Sequence, residues 1–190
     1  IAHRDVKAEN IVLAADAAGN DARFVLVDFG AARCLESGDE RCTSLVGTLA
    51  YLAPEVLSRN GHGMHVDWWS LGVLLYEAKC GKHPFLPDDL SDGDNSCECG
   101  HFELSEAQKA MAAERLTESL MACCEEGEEK EEGAILVSLV VPALRDDPIE
   151  RADGSHAWAA DHAPSATCDL GAMLQTAIQR RRDHAAAKAA

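Results

Sequence analysis

His3, Arg4 and Asp5 stand together near the start of the chain, Asn10 follows five residues after the aspartate, and Asp28-Phe29-Gly30 comes next. An aspartate in such a loop can orient an attacking hydroxyl and accept its proton. A carboxamide and a second carboxylate supply the hard oxygen ligands that Mg²⁺ prefers, which phosphoryl transfer uses to hold phosphates. Each tripeptide alone is a weak signal. The order H-R-D-x-x-x-x-N followed by D-F-G is a strong one, and Gly30 lets the backbone bend after Asp28.

The elements that must position these groups are legible in outline. Ile11-Val12-Leu13 and Phe24-Val25-Leu26-Val27 are short apolar, β-branched runs separated by a turn region at Gly19-Asn20, which predicts a hairpin. A hairpin sets Asn10 before its first strand and Asp28 after its second, on the same side. Asp28 to Glu55 reads as an irregular segment, with Pro54 favouring a turn or a helix start. From Val66 the pattern turns helical: Trp69, Val73 and Tyr76 recur at helical spacing, and Leu71, Leu74 and Leu75 add apolar surface. A helix apolar nearly all round predicts a buried central helix, with Asp67 as its cap and Lys79-Cys80-Gly81 as its stop. Asp88 to Ser96 reads as a polar loop or disordered segment. Leu104 to Cys124 reads as one helix, with Ser105-Glu106 near its start and Leu116, Leu120 and Met121 on one side. Glu125 to Gly133 is an acidic low-complexity linker. Ala134 to Leu144 is a second apolar helix ended by Asp146-Asp147-Pro148, and a final helix runs from Leu170 to about Ala187.

With His3-Arg4-Asp5, Asn10 and Asp28-Phe29-Gly30 in this order, the chain resembles the C-terminal lobe of eukaryotic serine/threonine protein kinases. The resemblance covers Ile1 to Phe85 closely and resumes from about Ala134 to Trp158. It implies a protein-kinase-like α+β fold: a mainly α-helical C-lobe with a short β-hairpin at the catalytic loop. The expected divisions are 1–85 for the catalytic core, 86–133 for an acidic insertion with one helix, 134–162 for the distal helices, and 163–190 for a C-terminal helix and alanine-rich tail.

The resemblance also implies roles. Asp5 is the base, Lys7 neutralises charge on the transferring phosphate, and Asn10 with Asp28 holds Mg²⁺ and through it ATP. Lys7 in Asp-x-Lys-x-x-Asn points to serine/threonine rather than tyrosine kinases, and Glu9 occupies a place where many relatives contact a substrate arginine. Phe29 is expected to pack under the site. Ser44 to Glu55 resembles the substrate-docking loop, in which Thr48 hydrogen-bonds the base and the lysine. Ser44 matches the usual activating phosphosite with Thr43 beside it, and Arg4 and Arg33 are there to pair with a phosphate; an unmodified polar loop is the alternative. Glu55 is expected to pair with Arg151, and Asp67 to brace the catalytic-loop backbone; these three are structural. Asp67-Trp68-Trp69 and Tyr51-Leu52-Ala53-Pro54-Glu55 lean toward the cyclic-nucleotide-dependent group.

The 190 residues suffice for one core, with 47% hydrophobic residues and a formal net charge of −16. From Leu86 to Glu132 there are fifteen acidic side chains against three basic. That balance disfavours nucleic acid as a partner; it is either a solvated acidic surface or a field that steers basic peptide substrates. The longest apolar run, Ala134 to Val141, is far shorter than the ~20 residues a membrane span needs. The eight cysteines read as free thiols of a reducing compartment, cytoplasmic or nuclear. Cys97, Cys99 and His101 with Cys123-Cys124 offer soft zinc ligands, but C-x-C and C-C differ from structural zinc spacing, so incidental thiols are the competing reading.

No G-x-G-x-x-G and no V-A-I-K occurs, and the chain opens two residues before His3. The expectation is therefore a fragment without the N-lobe, inactive alone, with an upstream N-lobe in the full-length protein. A non-catalytic kinase-like binding module is the rival expectation.

Overall fold

The computed structural model describes residues 1–14, 23–35, 41–85, 113–123, 137–145, 147–148, 151, 175 and 178–179. A 3-10 turn at Ala8–Asn10 leads into β1 (Ile11–Ala14), which pairs antiparallel with β2 (Arg23–Leu26) in the register Ile11↔Leu26 to Ala14↔Arg23. The expected hairpin is present, although its Gly19-Asn20 turn lies outside the described residues. The ladder continues past the strands, where Val27 N–H donates to the Asn10 carbonyl at 2.8 Å. That bond ties the start of β1 to the segment entering Asp28.

A single turn, α1 (Pro54–Leu57), starts on its proline, whose missing N–H costs nothing at a helix start. The central α2 (Val66–Cys80) buries Val66, Trp69, Val73, Leu74, Leu75 and Tyr76. Its residues face the core on nearly every side, as a helix apolar all round must. Gly81 ends it in the left-handed conformation, φ 71°, donating its N–H to the Glu77 carbonyl at 2.9 Å. Gly72 is the contact point of a further helical segment, residues 137–143: a Cβ there would lie 2.9 Å from Ala143 Cβ and 3.0 Å from Leu144. Trp69 stacks on Phe85 at 5.2 Å between ring centres, closing the core beyond the end of α2.

The helix α3 (Ala113–Ala122) buries Leu116 and Leu120 against that core. Met121 was expected on the same side and is exposed instead; it follows Leu120 by one residue, a rotation of about 100° around the helix. The predicted start of this helix at Leu104, the loop at Asp88 to Ser96, the linker at Glu125 to Gly133, and most of the segment Leu170 to Ala187 lie outside the described residues. The helix over 137–143 ends just ahead of Asp147-Pro148, as expected, with the Leu144 N–H still donating to the Val140 carbonyl at 3.0 Å. Asp146 and the predicted start at Ala134 lie outside the described residues, and the Arg151 N–H donates to the Asp147 carbonyl at 3.2 Å.

Asp67 is not a cap of α2. His65 occupies the capping position without a side-chain bond, and Asp67 lies in the first turn. Its carboxylate is committed elsewhere: Oδ2 accepts the His3 N–H and Oδ1 the Arg4 N–H, both at 2.7 Å. A carboxylate that receives two N–H groups of another segment cannot also serve its own helix start.

Candidate active site

Two buried groups anchor the loop that carries Asp5. His3 Nε2 meets the Val27 carbonyl at 3.1 Å, and the Ala2 backbone exchanges two hydrogen bonds with Arg33. Arg4 adopts φ 66°, a conformation that side chains other than glycine rarely take. The Asp67 carboxylate, gripping both N–H groups around that strained bend, offsets the cost.

Four side chains then converge. Asp5 Oδ1 accepts the Thr48 N–H at 2.9 Å and the Thr48 hydroxyl at 2.7 Å. Asp5 Oδ2 accepts Asn10 Nδ2 at 2.9 Å and faces Lys7 Nζ at 3.1 Å. Lys7 Nζ also donates to Thr48 Oγ1 at 2.7 Å. Burial by itself would raise the Asp5 pKa; the hydrogen bonds from Thr48 and Lys7, the Lys7 charge and the Asn10 amide outweigh it and hold the carboxyl below its ordinary value. Asp5 is thus an ionised acceptor beside a fixed cation.

Asn10 is buried, and both contacts of its Nδ2 go to Asp5, one to the side chain and one to the carbonyl at 2.8 Å. That orientation leaves Oδ1 as the atom available to a ligand. Asp28 is exposed, sits at φ 62° and accepts the Gly30 N–H on Oδ1 at 3.1 Å. One amide oxygen and one exposed carboxylate, joined through the Val27–Asn10 bond, fit a hard divalent cation whose remaining ligands are water and phosphate. Among the described residues no group of three or more His, Cys, Asp or Glu side chains forms a metal cluster; Cys97, Cys99, His101 and Cys124 lie outside them.

Phe29 does not pack under the site. It is exposed, its ring edge-to-face with His3 at 4.9 Å and otherwise uncovered by the described residues.

The segment that brings Thr48 is held from several sides. Arg4 Nη1 donates to Ser44 Oγ at 3.0 Å while its Nε donates to the Ala31 carbonyl at 2.7 Å, so Arg4 and Ser44 do meet. Thr43 and Arg33 are exposed on the same stretch. Ser70 Oγ donates to the Tyr51 carbonyl at 2.8 Å, and the Tyr51 hydroxyl to Glu77 at 2.5 Å. Arg151, almost wholly buried, grips both Glu55 oxygens at 2.9 and 2.7 Å and lies over the Trp69 ring.

A family model for the protein kinase domain matches residues 1–161. The chain belongs to the protein kinase domain family. Similar proteins are a calcium/calmodulin-dependent protein kinase, cmkA, of Emericella nidulans (43% identical, covering 56% of this chain and 25% of that one), and protein kinase 2 of Dictyostelium discoideum (47% identical, 48% and 18%). The cAMP-dependent protein kinase catalytic subunit of the same organism is 42% identical over 47% of this chain and 12% of its own length. The chain spans a quarter or less of the length of these relatives. The lean toward the cyclic-nucleotide-dependent group is supported in part, since a calcium/calmodulin-dependent kinase matches as well.

Within this kinase domain the sequence motifs did not reveal His83. Its Nε2 meets the Ala50 carbonyl at 2.8 Å, and its Nδ1 accepts the Phe85 N–H at 3.0 Å, so the ring is a neutral Nε2–H tautomer that donates to the segment carrying Thr48. The turn Lys82-His83-Pro84-Phe85 was the available signal. His62, buried where its backbone pairs with Cys42, was missed too.

Proposed function

We propose that this chain is the catalytic half of a serine/threonine protein kinase that transfers the ATP γ-phosphoryl group to Ser or Thr hydroxyls of proteins. The observation that carries the reading is the Asp5 carboxylate, held ionised by Thr48, Lys7 and Asn10 at 2.7–3.1 Å.

Asp5 accepts the proton of the substrate hydroxyl as that oxygen approaches phosphorus. Lys7, fixed by Asp5 and Thr48, holds a positive charge beside the same point and stabilises charge that develops there. Thr48 ties both to the docking loop, so the loop that receives the peptide and the base move together. Asn10 Oδ1 and the Asp28 carboxylate would hold Mg²⁺, which when bound neutralises phosphate charge. The residues 1–85 act as the catalytic core in this reading, 86–133 as an acidic insertion, 134–162 as the distal C-lobe helices and 163–190 as a tail. An intracellular place, protein substrates with basic peptides favoured, and an upstream nucleotide-binding lobe complete it.

The test is peptide phosphorylation by the full-length protein and its Asp5→Asn variant. The variant is expected to lose 10²–10⁴-fold or more in kcat, on the order of a general base's contribution, while its circular dichroism spectrum shows that it remains folded. Equal turnover by both proteins rules the mechanism out, and absence of turnover by the full-length wild type favours a kinase-like binding module.

A further inference from the structure

Cys80 closes α2, and Cys123 follows the last turn of α3; both are partly exposed. The two residues meet over one backbone group. The Cys80 thiol donates to the Ser119 carbonyl at 3.9 Å, and that carbonyl also accepts the Cys123 N–H at 3.2 Å. The nearby Cys123 thiol also helps to raise the Cys80 pKa. One turn earlier on each helix, the Tyr76 hydroxyl and Ser119 Oγ are 2.6 Å apart, which holds the helices in register at this end. Neither sulfur touches the cluster around Asp5. We propose that Cys80 and Cys123 form an oxidation site of this kinase domain, converted by hydrogen peroxide into a disulfide that staples α3 to α2.

The division of labour follows from the surroundings. Burial pushes the Cys80 thiol up to about 12, reinforced by the neighbouring Cys123, so Cys80 stays protonated at neutral pH. Cys123 is therefore the attacking sulfur. Its thiolate attacks one peroxide oxygen, the O–O bond breaks, and the departing hydroxide takes up a proton as water. Cys123 is now a sulfenic acid, its sulfur oxidised by two electrons. The Cys80 sulfur attacks the sulfenic sulfur, the S–S bond forms as the S–O bond breaks, and the leaving hydroxide carries off the Cys80 proton as a second water. Two thiols and one peroxide become one disulfide and two waters. Thiol reductants return both cysteines. Both cysteines are partly exposed, open enough for a small oxidant, and both lie at the same Ser119 carbonyl, which puts the resolving sulfur on the neighbouring helix end.

The experiment is to treat the folded full-length protein with hydrogen peroxide, alkylate the remaining thiols, digest without reductant and map the peptides by mass spectrometry. A Cys80–Cys123 linked peptide is expected, lost on reduction and absent from Cys80→Ser and Cys123→Ser variants. The exposed Cys34 serves as an internal measure of oxidant access. A Cys80 that remains alkylated after peroxide, whether Cys123 stays free or links to the adjacent Cys124, overturns the proposal. So does a linked peptide that forms only after denaturation. If either serine variant fails to fold, the wild-type map alone decides.

Discussion

Thr48 and Asp5, forty-three residues apart in the chain, meet twice: the Thr48 N–H at 2.9 Å and its hydroxyl at 2.7 Å both reach the same Asp5 oxygen. The backbone bond depends on the path of the segment carrying Thr48, the hydroxyl bond on the side chain. The hydroxyl has a second duty, because it also accepts from Lys7 at 2.7 Å.

Thr48→Val keeps the shape and the backbone bond while deleting the hydroxyl. Hydrogen bonds to charged groups are worth about 1.5–3 kcal/mol, so kcat for peptide phosphorylation by the full-length protein is expected to fall about 10–100-fold. Thr48→Ser is expected to retain most of the activity. Wild-type kcat in the valine variant means that Lys7 and Asp5 are held without this link.

Arg151 should tolerate neither shortening nor loss of its fork. It grips Glu55 through two parallel bonds from a buried position, and lysine offers one point charge where two donors are needed. Arg151→Ala leaves Glu55 without its cation, a loss of about 3–5 kcal/mol; Arg151→Lys is expected to recover only part of it. Denaturant unfolding of the three proteins measures the series. A lysine variant as stable as wild type means that charge, not geometry, carries the pair.

Gly47 combines φ 106° with close approach: a Cβ there would collide with the Arg4 carbonyl oxygen and sit 3.0 Å from Leu52. Gly47→Ala is expected to cost about 1–3 kcal/mol through backbone strain. If the Thr48 segment receives the peptide, as proposed, the variant should also raise the peptide KM, since the collision lies between that segment and the backbone beside Asp5. A melting curve and a KM measured on one preparation separate the two effects.

His62 and His65 shape the pH dependence. Burial, then the Arg4 charge, lowers the His62 pKa from its ordinary 6.5, and burial followed by Arg151 lowers that of His65. The sign follows from proton uptake. Above 6.5 the imidazoles are neutral folded and unfolded, and the stability is fully present; below 6.5 the unfolded chain takes up protons that the folded chain refuses, so stability falls as pH falls. Unfolding midpoints taken between pH 7.5 and 5.5 should decline, and His62→Phe should flatten the decline. Asp5, lowered from 3.8, adds a later loss in acid. Midpoints that rise toward pH 5.5 contradict this assignment.

Much of the site was legible from spacing. Asp5, Lys7 and Asn10 lie within one loop and turn, so their distances are limited by chain length alone. The hairpin was readable because alternation and turn residues are local signals, and it set Asn10 just before β1 and Asp28 just after β2 without any knowledge of the core. The central helix was likewise readable, since fifteen residues that are apolar on nearly every side can only be buried.

What the sequence determined by itself, then, is the inventory of reacting groups and the short elements that carry them, because both are encoded by neighbours a few residues apart. Only the tertiary structure decided which groups serve one another across long separations. Asp67, which by its local position reads as a cap, holds the His3 and Arg4 N–H groups 64 and 63 residues away, the brace that the family resemblance implied and no local window could show. Phe29 is exposed rather than packed under the site, and Met121 faces away from the core that takes Leu120. His83 under Ala50 and Cys80 beside Cys123 also arise where helix ends happen to pack. Such pairings depend on how whole elements dock, and docking is a property of the assembled core rather than of any window of the chain.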